Sequence, residues 1–192
     1  MDRTPKTRKE AAFLRVATGT TKLVTTANRA VAALAAKGIP SLVCGGLAVQ
    51  EYGYPRLTVD VDLIVPNVAA AYKVLSIAGF KPSRETPGVT GFMVDRENKI
   101  ELDLLPAGHS LGGPVVFPMP HNTASTPKLI SLQDLVSLKL SSHSASPLHR
   151  AKDFSDVVEL VKRRKLPRDL PVDGHVQQAW LALWDGLQAE VG

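Results

Sequence analysis

Residues 58–65, TVDVDLIV, constrain this chain more than any other segment. Side chains on a strand alternate between its two faces. One face then carries Val59, Val61, Leu63 and Val65, and the other Thr58, Asp60, Asp62 and Ile64. A wholly apolar face anchors the strand in a core, while two carboxylates two residues apart project side by side from the opposite face. Beside a core, such a pair repels itself and loses hydration unless a cation neutralises it. Hard oxygens aimed at one point are what Mg²⁺ and Mn²⁺ require. A bare Asp-x-Asp usually marks a solvated surface strand. Here a Gly45-Gly46 turn precedes it and a further carboxylate-bearing strand follows, which moves the reading towards metal binding.

The rest of the chain supplies a frame for that strand. Residues 1–20 are polar and basic, so a frayed, flexible N-terminus is expected. Residues 22–37 are alanine-rich with apolar positions at helical spacing, and Gly38 supplies the stop. SLVC reads as a short buried strand running into Gly45-Gly46, and LAVQEYG as a short helix. Asn67 caps a helix that reaches about Ala78. Residues 89–94 and 99–105 form a hairpin in which Ile100, Leu102 and Leu104 share one face and Glu101 and Asp103 the other. Residues 106–128, rich in proline and glycine, are irregular; GHSLGG within them lacks the Lys-Ser/Thr ending of a phosphate-binding P-loop and reads as a connector. Helices follow from Ser131, with Asp134 completing a capping box, and from Ser146-Pro147 to about Lys165. A last helix over 174–189 aligns Val176, Trp180, Leu183, Trp184 and Leu187 as a core stripe. The expected fold is α/β (α+β): a basic N-terminus (1–20), a small mixed sheet core (21–128) and a helical C-terminal region (129–192).

Composition narrows the partners. No run of eighteen apolar residues exists, which leaves no membrane-spanning candidate. The basic start is not followed by an apolar stretch, so it does not read as a secretory signal. The single cysteine, Cys44, fits a reducing cytoplasm and a small buried core position. A net charge of +5 favours polyanions such as RNA or nucleotides, with basic clusters at 3–9 and 162–165. Serine-hydrolase and zinc-protease motifs are absent: there is no Gly-x-Ser-x-Gly and no His-Glu-x-x-His.

Lys139 stands out on the helix from Ser131. The stripe Leu132, Leu135, Val136 and Leu140 surrounds it, so its ammonium must snorkel out or find an anion. Arg150 lines up with Phe154, Val157, Val158 and Val161 on the next helix, and Asp153 sits at the edge of that stripe.

The stretch VCGGLAVQEYGYPRLTVDVDLIVP resembles the signature of the DNA polymerase β-like nucleotidyltransferase superfamily. Its form, Gly-Tyr-x-Arg-x-Thr before Asp-x-Asp, is similar to the abortive-infection (AbiEii-like) toxin nucleotidyltransferases. The match is close over residues 41–66 and looser through IELDLLP and KLSSHSASPLHRAKDFSDVVEL. It implies that Gly45 and Gly46 approach a triphosphate through their backbone, next to free helix N–H groups. Asp60 and Asp62 would bind Mg²⁺ or Mn²⁺, and Asp103 would complete the site and activate the acceptor hydroxyl, with Glu101 as the fallback third carboxylate. Arg56 and Thr58 match the pattern, Arg56 as a counter-charge to phosphate. Lys139 would bind phosphate, while Arg150 and Asp153 either orient it or the nucleotide, or form a structural ion pair.

The implied reaction moves a nucleoside monophosphate from an NTP to RNA, tRNA above all, or to a protein hydroxyl, releasing pyrophosphate. As a toxin the protein would have an antitoxin partner. Three alternatives stay open: a catalytically inactive nucleotide- or RNA-binding module of the same fold, a basic protein-interaction domain, and a metal-dependent phosphohydrolase.

Overall fold

The computed structural model describes residues 8–83, 90–121 and 123–190, with side chains from residue 21 onward. Helix α1 (Arg8–Ala35) extends well before the expected 22–37, so the backbone is already helical over much of the segment expected to fray. Residues 1–7, which hold Arg3 and Lys6 of the first basic cluster, lie outside the described residues. Leu23, Ala27, Ala30, Val31 and Leu34 form the buried stripe of α1.

Strand β1 (Leu42–Cys44) leads directly into α2 (Gly45–Glu51). Strand β2 (Asp60–Val65) is followed by α3 (Val68–Ile77), whose Asn67 side chain accepts a hydrogen bond from the Ala70 N–H, as the sequence predicts. Then come β3 (Phe80–Pro82), β4 (Gly91–Asp95) and β5 (Glu101–Pro106). The five strands make one mixed sheet in the order β1-β2-β5-β4-β3, in which β2 and β5 run parallel and every other neighbour is antiparallel.

Two departures from the sequence reading concern the sheet. Strand β3 was not foreseen, because three residues carry too little alternation to show a period. Val59, expected on the apolar face, precedes the strand and is 67% exposed. The remaining alternation holds: Val61, Leu63 and Val65 are fully buried and pack with Leu102, Leu104 and Met93 against α1 and α3.

The opposite sheet face looks towards the helical half. Helix α4 (Leu132–Ala145) starts at the expected capping box, where Ser131 Oγ accepts from the Asp134 N–H and donates to the Asp134 carboxylate at 2.6 Å. Helix α5 (Ala151–Arg164) starts four residues later than expected. Residues 147–150 instead make a turn closed by the Arg150 N–H on the Ser146 carbonyl at 2.9 Å, so Pro147 lies in a turn and not at a first helical position. A short 3₁₀ turn (Gly174–Val176) precedes α6 (Gln177–Ala189). Trp180 is fully buried, and its indole N–H and that of Trp184 donate to the carbonyls of Arg168 and Leu166, each at 2.9 Å. Both tryptophans are thus core residues. Ile64 reaches from β2 into this second core, beside Ile130, Leu135 and Val157.

Two polar devices tie the parts together. The outer edge of β1 is closed by residues 128–130, through Val43 N–H to Lys128 O and Ile130 N–H to Val43 O, both 2.8 Å. Asp95, at the expected hairpin turn, is fully buried and accepts from Thr26 at 2.9 Å, Arg29 at 2.8 Å and Asn98 at 2.8 Å. Burial alone would push its carboxyl up, but these donors and the Glu97 N–H outweigh that and hold it below its usual value. Among the described residues no helix is long and apolar enough to cross a membrane.

Candidate active site

The parallel pairing of β2 with β5 sets Asp60 opposite Glu101 and Asp62 opposite Asp103. Residues paired across a ladder share a face, so all four acids project from the side of the sheet that lacks α1 and α3. A cleft of about 490 Å³ opens there, between the sheet and helices α4 and α5. Asp60, Asp62 and Asp103 line it; Glu101 is exposed at the start of β5 and does not. The residues expected to meet a nucleotide, Gly45, Gly46, Arg56, Thr58, Lys139, Arg150 and Asp153, all line the same cleft. Asp103 is paired on its other side with Phe92 of β4, an aromatic wall that the sequence reading did not single out.

Asp62 is strongly perturbed. Burial, then the charges of Asp60 and Asp103, push its pKa from 3.8 up to about 7, while Lys139 and the Gly46 N–H pull the other way. Asp60 is held by the Thr58 hydroxyl, which donates to its Oδ1 at 2.9 Å. Thr58 therefore earns its place on the carboxylate face by fixing Asp60. Among the described residues no three His, Cys, Asp or Glu side chains are gathered tightly enough to make a ready metal cage. The donors instead lie along two adjacent strands. That arrangement suits Mg²⁺, which is usually held by one or two carboxylates together with the phosphates of its substrate.

The two glycines have a reason the sequence did not show. Gly45 has φ +58°, and a Cβ there would lie 1.8 Å from Asp62 Oδ2. A Cβ on Gly46 would lie 2.3 Å from Thr58 Oγ1 and 2.7 Å from an Arg56 Nη. Side chains of the protein itself occupy the space above this turn, so glycine is required before any ligand is considered. Gly45→Ala is expected to displace the Asp62 carboxylate and to lose about 1–2 kcal/mol from the left-handed backbone alone. A urea titration alongside a turnover assay measures both, and wild-type stability with full activity would refute the packing.

The basic residues divide into two groups. Lys139 is buried, as its place in the apolar stripe of α4 requires, and the anions it meets are aspartates of α5: Asp153 Oδ1 at 2.8 Å and Asp156 Oδ2 at 2.6 Å. Arg56 is half-buried, with Nε 3.0 Å from Asp156 Oδ1. Burial pushes the Asp153 carboxyl up, but Lys139, Ser142 and Arg150 together hold it below its usual value. So Arg56, Lys139, Asp153 and Asp156 form a closed frame in which Lys139 and Asp156 are buried and Arg56 and Asp153 half-buried. Arg150 and Lys152, at the start of α5, are exposed on the rim.

Asp156 is the residue that sequence reasoning missed. The signal was available: Asp153, Asp156, Val157, Leu160 and Val161 fall at i, i+3, i+4, i+7 and i+8, a helical stripe carrying two carboxylates. The stripe drawn through Phe154 and Val158 was rotated from the true one, since Phe154 is exposed and Asp156 is 1% exposed. Cys44 is buried as expected, and burial followed by the Asp62 charge raises its thiol well above its usual value.

No family model matches the sequence, and no curated protein does. Among solved structures the chain is similar to the antibiotic-resistance factor ANT(2'')-Ia in its solution structure, at 14% identity and a TM-score of 0.56, covering 89% of this chain and 95% of that one. The crystal structure of ANT(2")-Ia with adenylyl-2"-tobramycin matches at 14% identity and a TM-score of 0.55, covering 88% and 98%. At this identity the likeness is one of fold: a five-stranded mixed sheet with helices, as in a nucleotidyltransferase.

Proposed function

We propose that the protein is a metal-dependent nucleotidyltransferase that moves a nucleoside monophosphate from an NTP to an acceptor and releases pyrophosphate. The observation that carries this reading is the set of Asp60, Asp62 and Asp103 on one sheet face, lining a cleft whose opposite wall is basic. Half-buried carboxylates whose lost hydration and mutual repulsion together raise Asp62 to about 7 call for a cation. Asp60, Asp62 and Asp103 would hold Mg²⁺ or Mn²⁺, which would neutralise charge on the phosphates. The Thr58 hydroxyl keeps Asp60 aimed into the cleft, and the Gly46 N–H keeps Asp62. Asp103, beside Phe92, would accept the proton of the acceptor hydroxyl. Lys139 favours the ionised form of Asp62 through its charge. Incubation with Mg²⁺ or Mn²⁺ and each α-labelled triphosphate, with total RNA and cell protein as acceptors, tests the reading. Release of inorganic phosphate in place of pyrophosphate would make the protein a phosphohydrolase, and triphosphate binding without turnover would make it a binding module.

For the acceptor we favour RNA. The basic tail Lys162, Arg163, Arg164 and Lys165 ends the helix that Arg150 begins, about 20 Å away at 1.5 Å per residue. A polymer can touch both ends of α5, and a small acceptor cannot. Arg163 is partly engaged already, 3.0 Å from Glu159 and with its guanidinium 5.3 Å from the Tyr54 ring. Neutralising Lys162, Arg164 and Lys165 should therefore raise the KM for tRNA by about tenfold or more and leave that for the triphosphate alone. Label on protein and never on RNA would point to a protein hydroxyl instead. The AbiEii-like form of residues 53–62 supports a toxin role in a reducing cytoplasm, countered by an antitoxin protein. Growth arrest on expression, abolished by Asp62→Asn, is the corresponding readout.

A further inference from the structure

We propose that Lys152, with Arg150 beside it at the start of α5, supplies the protein charge that grips the triphosphate, an assignment that rests on the nucleotide reading above. Four lysines and arginines line the cleft: Arg56, Lys139, Arg150 and Lys152. Two of them are already neutralised within the protein. Lys139 lies 2.8 Å from Asp153 and 2.6 Å from Asp156, and Arg56 lies 3.0 Å from Asp156. Their side chains are only 8% and 11% exposed, so two cations and two carboxylates make a neutral frame largely withdrawn from water at the wall of the cleft. A phosphate that recruited Lys139 would strip a buried aspartate of its partner, which a low-dielectric site resists strongly.

Lys152 is differently placed. Among the described residues its ammonium makes one contact, a long 3.4 Å approach to the Leu57 carbonyl. That contact holds it over the chain entering β2, next to Thr58 and Asp60, at the mouth of the cleft. Breaking it exposes only a carbonyl that water can satisfy, so the side chain is free to exchange it for phosphate oxygens. A lysine suits this task, since it meets phosphate as a mobile point charge on a flexible stem. Arg150 also faces the cleft from the exposed rim, and a triphosphate seated between this pair and the β2 carboxylates would have cations on the side that the aspartates leave open. The phosphate-binding role that the family resemblance assigns to Lys139 thus passes to Lys152.

The test compares wild type with Lys152→Gln, Lys152→Arg and Lys81→Gln, the last an equal loss of charge on β3 at the far edge of the sheet. Each is titrated calorimetrically with Mg²⁺–ATP and with Mg²⁺–tripolyphosphate, which carries the charge without a base. Lys152→Gln should weaken both probes by about tenfold, the scale of one charge-assisted contact, and raise KM while kcat changes little. Lys152→Arg should keep most of the affinity, and Lys81→Gln should match wild type. Lys152 is exposed, so unchanged thermal midpoints should accompany these shifts. Wild-type affinity in Lys152→Gln, or an equal loss in Lys81→Gln, overturns the assignment and leaves the nucleotide reading standing. Failure of wild type to bind either probe overturns both.

Discussion

Asp62→Asn is expected to abolish nucleotide transfer, by about a thousandfold or more, while making the metal-free protein more stable. The first effect follows from removing a charge aimed at the reacting phosphates, for which losses of about 10²–10³ are the usual scale for a single neutral donor. Asp60→Asn should do the same, since the Thr58 hydroxyl holds that carboxylate in the same cleft. The second effect has a pH signature. Burial, Asp60 and Asp103 raise Asp62 from 3.8 to about 7, so the folded protein keeps a proton that the unfolded chain has released between those values. Stability from this group therefore falls as pH rises from about 4 to about 7, and levels off above that. The full shift corresponds to at most about 4 kcal/mol. Asparagine does not titrate and still accepts from the Gly46 N–H. Urea midpoints at about pH 5 and about pH 8 should thus diverge more for wild type than for Asp62→Asn. Parallel midpoints in the two proteins would show that Asp62 is not held under repulsion, and retained turnover would remove it from the site.

Lys139→Met should cost about 3–5 kcal/mol of stability, because it leaves Asp153 and Asp156 short of a buried counter-charge. For a domain with about 5–15 kcal/mol in total that is a severe loss. From the sequence alone, methionine at this position looks harmless, an apolar residue in an apolar stripe that gives up only a ligand contact. The frame of two cations and two carboxylates reverses that expectation. Charge parity supplies the control: Lys139→Met with Asp156→Asn leaves one cation, Arg56, and one carboxylate, Asp153, so the net charge of the frame stays at zero. The double variant should be less destabilised than the sum of the single changes, with a coupling of about 1–3 kcal/mol in a denaturation cycle. A single variant as stable as wild type would show that Lys139 snorkels and that the frame carries no stability.

Alternation in TVDVDLIV was enough to place Asp60 and Asp62 on one face and a buried anchor on the other, because a strand's side-chain period is set by local geometry. The same local rules located the Asn67 cap, the Ser131 capping box, the hairpin before β5 and the core role of the tryptophans. They also put Asp103 on the polar face of its strand. They did not set it beside Asp62, since a one-residue slip of β5 would have brought another side chain there. That neighbour depends on a register fixed between residues forty-one positions apart. The reason for glycine at positions 45 and 46 likewise lies in where Asp62 and Thr58 end up. Most of all, the buried Lys139 needed an anion, and local pattern could not say whether a ligand or the protein provides it. Only the docking of α5 on α4 decided that: two aspartates on the stripe of one helix meet the lysine on the stripe of the other. Periodicity along the chain assigns each residue to a face; which faces meet, and so which charges are already paired, is a property of the packed whole.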